Sequence, residues 1–274
     1  MTDRRSTPAN ARVAHDSLRG RVDAPRFTPG EPAAIAVPLA DLLSAPGGAR
    51  ERQLLMGDPV LVLDRDAGFA FIRSEKDGYC GYVGEGALGP AVSPTHRVAI
   101  PATHLYPAPD LRARETARLS FGARLVITGR SGRFARTAGG EYVPEVHLRD
   151  AETHETDAVA VAGLFLGTPY LWGGNSRDGL DCSGLVQASL LACGIPCPGD
   201  SDQQEAAVGT PVASLADLVR GDLIFWKGHV AIVAGPDRII HANAHTMSVA
   251  YEGLDAAIAR IARAEGPVTS LRRP

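Results

Sequence analysis

Tyr170-Leu171-Trp172-Gly173-Gly174 and, after a short loop, Asp181-Cys182-Ser183-Gly184-Leu185-Val186 form the stretch whose reading decides how this chain folds. Leu185, Val186, Leu190 and Cys193 can share one face of a 3.6-period helix, and Gly194 followed by Pro196 supplies the stop signals. Cys182 then sits at the start of a helix. A thiol there is close to unsatisfied backbone N–H groups and to the positive end of the macrodipole, and both favour the nucleophilic thiolate. A cysteine on a helix also serves as a packed small hydrophobe, so position alone leaves both readings open.

A cysteine nucleophile needs a base. Gly221-Asp222-Leu223-Ile224-Phe225-Trp226 reads as a turn and a strand, and Lys227-Gly228 as a tight turn into a second strand, His229-Val230-Ala231-Ile232-Val233. Arg238-Ile239-Ile240-His241-Ala242 is a third short apolar strand. Antiparallel neighbours would set His229 and His241 side by side, so that His241 could orient the imidazole of His229. That is the nucleophile, base and orienter logic of acyl-transfer enzymes. Each histidine alone is compatible with a structural, hydrogen-bonded role; the pair downstream of Cys182 favours chemistry. His245 competes with His241 but follows a strand rather than lying on it.

At these residues a resemblance becomes specific. The region from about Thr156 to Pro274 resembles the NlpC/P60 family of papain-like cysteine peptidases, which cleave peptides of the bacterial cell wall. The matching segments are Gly167–Gly174, Asp181–Gly184, Arg220–Trp226, Gly228–Ile232 and Ile240–Ala242, in the family's order and spacing. The resemblance implies Cys182 as nucleophile, His229 as general base and acid, and His241 as the orienting third residue. It also implies that the Tyr170 hydroxyl helps the helix-start N–H groups to stabilise the oxyanion. Trp172 is expected to pack in the core.

Composition sets the bounds. The 274 residues are enough for two or three small domains, and a net charge of −3 without blocks of like charge argues against nucleic acid or an anionic membrane as partner. Met1–Ala34 is polar, basic-leaning and without an apolar core segment, so no secretory signal is expected there and the first 31 residues are expected to form a partly ordered arm. The longest apolar run, Ala158–Gly167, is too short for a bilayer and reads as a helix capped by Thr156 or Asp157, packed behind the site. The four cysteines form no disulfide framework. Cys193 and Cys197 flank a helix stop with no second zinc-like pair, and Cys80 reads as a packed thiol.

Upstream the chain repeats itself. Ala36–Pro46 aligns with Ala99–Pro109, Gln53–Asp58 with Ala117–Gly122, and Gly81-Tyr82-Val83 with Glu141-Tyr142-Val143. Short alternating strands between Gly/Pro turns, repeated twice, predict two small β-barrels, each folding as its own compact unit. They resemble bacterial SH3 (SH3b) domains, over residues 32–90 and 96–150, with linkers near Gly84–Thr95 and Leu148–Thr156.

Two SH3b-like domains before an NlpC/P60 domain (156–274) resemble a subgroup, the γ-D-glutamyl-L-diamino acid endopeptidases, which recycle murein peptides with a free N-terminal L-Ala. That resemblance implies an aspartate after the catalytic helix and a tyrosine from the first SH3b domain around the free amine. Gly199-Asp200-Ser201-Asp202 supplies Asp200, with Ser201 beside it; relatives often carry arginine where this chain has Gly199. Asp77-Gly78-Tyr79-Cys80-Gly81-Tyr82 supplies the tyrosine. Tyr79 is preferred, because Tyr82 has a repeat counterpart in Tyr142 and so looks like a core position. Glu51 is the expected acidic partner, and Asp181 and Ser183 are expected to touch the substrate beside the nucleophile. An enclosed ammonium paired with Asp200 would exclude acylated N-termini, which leave that charge uncompensated.

The expected architecture is therefore an α+β papain-like domain preceded by two all-β SH3b-like barrels. The expected activity is cysteine-peptidase hydrolysis of the γ-D-Glu–diamino acid bond through an acyl-enzyme, by a cytoplasmic monomer that needs no cofactor or metal. Three alternatives stay open: an exported hydrolase of intact stem peptides anchored by its SH3b pair, a catalytically silent wall-binding protein, and an acyltransferase on the same fold.

Overall fold

The structure is a computed structural model and describes residues 3–274. The chain divides into two compact units, one ending at Thr153 and the other running from His154 to Pro274.

In the first unit, one seven-stranded sheet curls into the first barrel. Its order is Arg50–Leu55, Leu39–Leu43, Cys80–Gly84, Phe69–Ser74, Pro59–Asp66, Glu31–Ile35 and Leu88–Pro90. Alternation along the strands sends Ile35, Leu42, Leu54, Ile72 and Val83 inward, where all are fully buried. Leu88–Pro90 pairs with Glu31–Ile35, so the first expected linker is shorter at its start than the turn residues imply. The second repeat forms equivalent hairpins. Ala102–Leu105 pairs with Ala117–Ser120 as Leu39–Leu43 pairs with Arg50–Leu55, around a core of Val98, Leu105, Leu119, Ala123 and Val143. Leu148–Asp150, expected to begin the second linker, is a strand paired with His96–Val98.

The barrels are not independent, contrary to expectation. Leu55, with Leu39 and Met56 beside it, packs into the second core, and Arg124 N–H donates to the Met56 carbonyl at 2.8 Å. Gly57 makes this approach possible. It has φ +80°, and a Cβ there would stand 2.3 Å from the Arg124 carbonyl oxygen.

The expected arm is also more ordered than its composition implies. Ala14–His15 pairs in parallel with Phe27–Thr28, Val13 and Ala14 are fully buried, and Cys80 N–H donates to the Arg5 carbonyl at 2.7 Å. Val13 joins Leu63, Phe71 and Cys80 in a small cluster on the barrel's outer face, which repays the ordering of a polar segment.

The second unit is built on a six-stranded antiparallel sheet. Its order is Thr210–Pro211, Ser270–Arg273, Leu223–Trp226, His229–Gly235, Arg238–Asn243 and Ser248–Gly253. The central strands are continuous apolar runs because both of their faces are covered. Helix α1 (Ala158–Gly163) packs along α2 (Cys182–Ala192), and both lie against the two central strands that follow the Lys227-Gly228 turn. Helix α3 (Ser201–Ala207) follows α2, and α4 (Leu254–Ala264) contributes Ala257 and Ile261 to a core with Ile224, Trp226, Ala231, Val233 and Ile239. Asp157 caps α1 by accepting from Val159 N–H at 2.9 Å and Ala160 N–H at 3.1 Å, and the helix ends at Gly163, before the apolar run does. Among the described residues no helix is long and apolar enough to cross a membrane.

Candidate active site

Cys182 is the first residue of α2 and is 94 % buried (6 % exposed). Asp181 is the N-cap. One of its carboxylate oxygens accepts from Gly184 N–H at 2.6 Å and from the Ser183 hydroxyl at 3.1 Å. The other accepts from Gly173 N–H at 2.9 Å, which ties the glycine loop to the helix start. Both Asp181 and Ser183 are buried, and the cap is the task the structure shows for them beside the nucleophile. The close approach depends on Gly184, where a Cβ would lie 2.4 Å from the Gly174 carbonyl oxygen.

The hairpin Leu223–Gly235 turns at Lys227-Gly228, with Trp226 opposite His229. The carbonyl of Gly228 lies 4.0 Å from the Cys182 sulfur, which brings the start of the His229 strand to the nucleophile position. His229 Nε2 and His241 Nδ1 are 3.0 Å apart, and both rings are buried, that of His229 beside Trp226. His245 is exposed in the following turn, as its position past the strand implies.

The chain of hydrogen bonds continues beyond the expected residues. His241 Nε2 is 3.1 Å from the Glu252 carboxylate, and Arg260 of α4 grips both oxygens of that carboxylate at 2.9 and 2.7 Å. Sequence reasoning missed Glu252 and Arg260. Strand register carries the signal: Ile239 pairs with Glu252 and His241 with Ala250, so Glu252 is the diagonal same-face neighbour of His241.

Burial holds His229 well below the ordinary imidazole range, with His241 and Arg260 acting in the same direction. His241 is lowered too, again chiefly by burial, with Arg260 and His245 adding to it and Glu252 opposing. The Arg260 hydrogen bonds hold the Glu252 carboxyl below its usual value, so it is an ionised acceptor. A neutral imidazole pair ending on a carboxylate can take up a proton at one end and stabilise it through the chain.

Tyr170 is aligned by its N–H to the Met247 carbonyl at 2.9 Å and by a bridge to Leu180, next to the cap. Burial, then the nearby Cys182 and Asp181, raise its hydroxyl well above the ordinary value, so it remains a proton donor. Trp172 contradicts the expectation of core packing: it is 70 % exposed. The two glycines after it are committed to the cap and the close approach, which leaves the indole outside.

Asp200 is the N-cap residue of α3 and is half-buried. It is tied to the nucleophile's surroundings by Gln204, whose side-chain amide donates to the Ser183 carbonyl at 2.9 Å. Ser201 is the first residue of the same helix.

Tyr79 and Glu51 lie in the first unit. The repeat predicts Tyr82 as the core position, but it is Tyr79, 3 % exposed, that belongs to the first barrel's core, whereas Tyr82 is only half-buried. The Asp77-Gly78 turn folds Tyr79 back, with Tyr79 N–H donating to the Asp77 carboxylate at 3.1 Å. Tyr82 lies against Phe71, with ring centroids 5.1 Å apart and planes tilted by 42°, and its hydroxyl accepts from the Asn10 amide at 3.1 Å. Glu51 pairs with Arg4.

No disulfide joins the four cysteines, and no group of side chains among the described residues is arranged to hold a metal. The Cys80 thiol is pushed up to about 12 by burial, in keeping with a packed role.

Residues 167–260, which hold this constellation, match the model of the NlpC/P60 family. The chain carries an NlpC/P60 domain. Residues 42–88 match the bacterial dipeptidyl-peptidase SH3 domain. The chain is 28 % identical over 218 residues to a γ-D-glutamyl-L-lysine dipeptidyl-peptidase of Bacillus subtilis, covering 70 % of this chain and 72 % of that protein. It is 32 % identical over 111 residues to dipeptidyl-peptidase 6 of Lysinibacillus sphaericus, covering 40 % of each. In fold it is similar to an NlpC/P60 family protein of Bacillus cereus, with a TM-score of 0.75, 23 % identity, and 89 % of this chain and 99 % of that one covered. An NlpC/P60 domain following an SH3 domain makes this chain a peptidase.

Proposed function

We propose that this NlpC/P60 chain is a cysteine endopeptidase that hydrolyses the γ-D-Glu–diamino acid bond of murein peptides with a free N-terminal L-Ala, and that it serves peptide recycling in the cytoplasm. The observation that carries the chemistry is the His229–His241 hydrogen bond, with the strand of His229 beginning beside the helix-start thiol of Cys182. The similarity to a γ-D-glutamyl-L-lysine dipeptidyl-peptidase supports the substrate.

Cys182 gives its proton to His229 and attacks the γ-carbonyl of the D-Glu residue. Negative charge on the carbonyl oxygen is met by the Tyr170 hydroxyl together with backbone N–H at the start of α2. His229 returns the proton to the leaving amine, and water then resolves the acyl-enzyme by the reverse sequence. Asp200 pairs with the substrate ammonium, and a substrate whose N-terminus is acylated leaves that carboxylate without its partner.

Free L-Ala-γ-D-Glu-diaminopimelate and the same peptide attached to muramic acid are to be compared by dipeptide release. The free peptide is expected to be cleaved and the attached one spared. Equal rates on both would sink the ammonium recognition. Absence of release from either, with wild type matching Cys182→Ala, would sink the peptidase chemistry at this site.

A further inference from the structure

We propose that Glu252, anchored by Arg260, is a positioning residue that fixes the proton arrangement of His241 and His229, and so keeps Nδ1 of His229 available to receive the Cys182 proton. The proposal deepens the peptidase chemistry above and rests on it.

The argument follows the hydrogen bonds inward from the carboxylate. Glu252 is ionised and can only accept, so His241 Nε2, 3.1 Å away, must carry a proton. A neutral His241 then has its lone pair on Nδ1. That atom faces His229 Nε2 at 3.0 Å, so His229 must donate from Nε2. Neutral His229 is left with its lone pair on Nδ1. Each ring has one choice once the carboxylate has made its own.

Without Glu252 this direction is lost. His241 can carry its proton on Nδ1 instead, and His229 then accepts at Nε2 and holds its own proton on Nδ1, where it cannot take one from a thiol. Arg260 matters because it fills lone pairs on both oxygens of the carboxylate and holds it ionised and in place. The groups acting on His241 are His229, Glu252, Arg260 and His245, and of these Glu252 alone is an acceptor for Nε2–H. The arrangement is local to two adjoining elements. Glu252 is the penultimate residue of its strand, α4 begins at Leu254, and Arg260 reaches back from that helix.

In a serine-protease triad, loss of the correct imidazole tautomer costs about 10⁴ in kcat. Glu252 is one ring further from the nucleophile, and Glu252→Ala is expected to lower kcat by about 10- to 1,000-fold with KM changed by less than about threefold. The decisive readout is the nitrogen-15 spectrum of histidine-labelled, full-length protein. Wild type is expected to show His229 and His241 both protonated at Nε2. Glu252→Ala is expected to move a population of both rings to the Nδ1–H form, whereas Arg260→Ala, which keeps the acceptor, is expected to retain the wild-type form more fully. An unchanged tautomer pattern in Glu252→Ala overturns the proposal, even if activity falls, because the loss is then one of packing. A kcat within threefold of wild type overturns it as well. The spectrum needs no substrate, so it decides this proposal even where the assay on murein peptide refutes the peptidase reading.

Discussion

Gly184→Ala tests whether the nucleophile position is set by contact between the glycine loop and the start of α2. The added Cβ would stand 2.4 Å from the Gly174 carbonyl oxygen, 3.0 Å from Asp181 Oδ1 and 3.3 Å from the Asn175 side-chain nitrogen. A carbon normally approaches a carbonyl oxygen no closer than about 3.3 Å, so the helix start and loop must separate by about 0.9 Å. Neither close neighbour can swing away: one is backbone, and the other is held by Gly173 and Gly184 N–H. Overpacking of this kind costs about 1–3 kcal/mol, and the helix propensity gained on replacing glycine with alanine returns about 1 kcal/mol. The net effect on stability is therefore a loss of up to about 2 kcal/mol. The larger effect falls on activity, since a misplacement near 1 Å at a reacting group costs about 100-fold. Dipeptide release and urea unfolding, run beside Gly86→Ala, check both parts. Gly86 has open space around its Cβ position and should be neutral within about 0.5 kcal/mol. A Gly184→Ala protein with wild-type kcat and an unchanged urea midpoint would refute the reasoning.

Acid should weaken the second unit in a particular window. His229 and His241 are lowered in the folded state, so below the unfolded value near 6.5 the unfolded chain binds more protons and stability falls as pH drops toward the folded values. Urea midpoints from pH 7 to 4.5 should decline in wild type and decline less in a His229→Gln, His241→Gln double variant; equal slopes would contradict the burial argument. Asp181→Asn turns one acceptor oxygen into a donor facing Gly173 N–H or Gly184 N–H, and should cost about 1–3 kcal/mol in denaturant unfolding. Leu185→Ala removes a fully buried side chain beneath the nucleophile and should cost about 2–5 kcal/mol, with kcat falling only as far as the helix start shifts.

The helix start, the hairpin and the two histidines were legible because each is written locally. A stop after Cys193, a two-residue turn at Lys227-Gly228 and short apolar strands are enough to place them. The cap at Asp181 was legible in principle, since an aspartate before a helix satisfies N–H groups whatever follows it, but sequence reasoning considered that residue only beside the substrate. Glu252 and Arg260 were hidden by distance along the chain. Placing them requires the register of a fourth strand across the Asn243–Ser248 turn and the direction of a helix beyond it. Trp172 misled because an aromatic residue is expected inside, while its burial is decided by what the following glycines do. The relative burial of Tyr79 and Tyr82 was inverted for a similar reason: the repeat aligns strands, but the Asp77-Gly78 turn decides which ring folds inward.

Leu55 belongs to a strand of one barrel and to the core of the next, and this sets where the chain can be cut. A boundary drawn between the two repeats, at residues 91–95, would strip the second barrel of an apolar wall and leave Leu55 of the first in water. The pair should melt as one cooperative block, and a fragment carrying the second repeat alone should fail to fold. Exchange of modules with relatives should therefore move both barrels together and join at Thr153–His154, where the chain's own division falls.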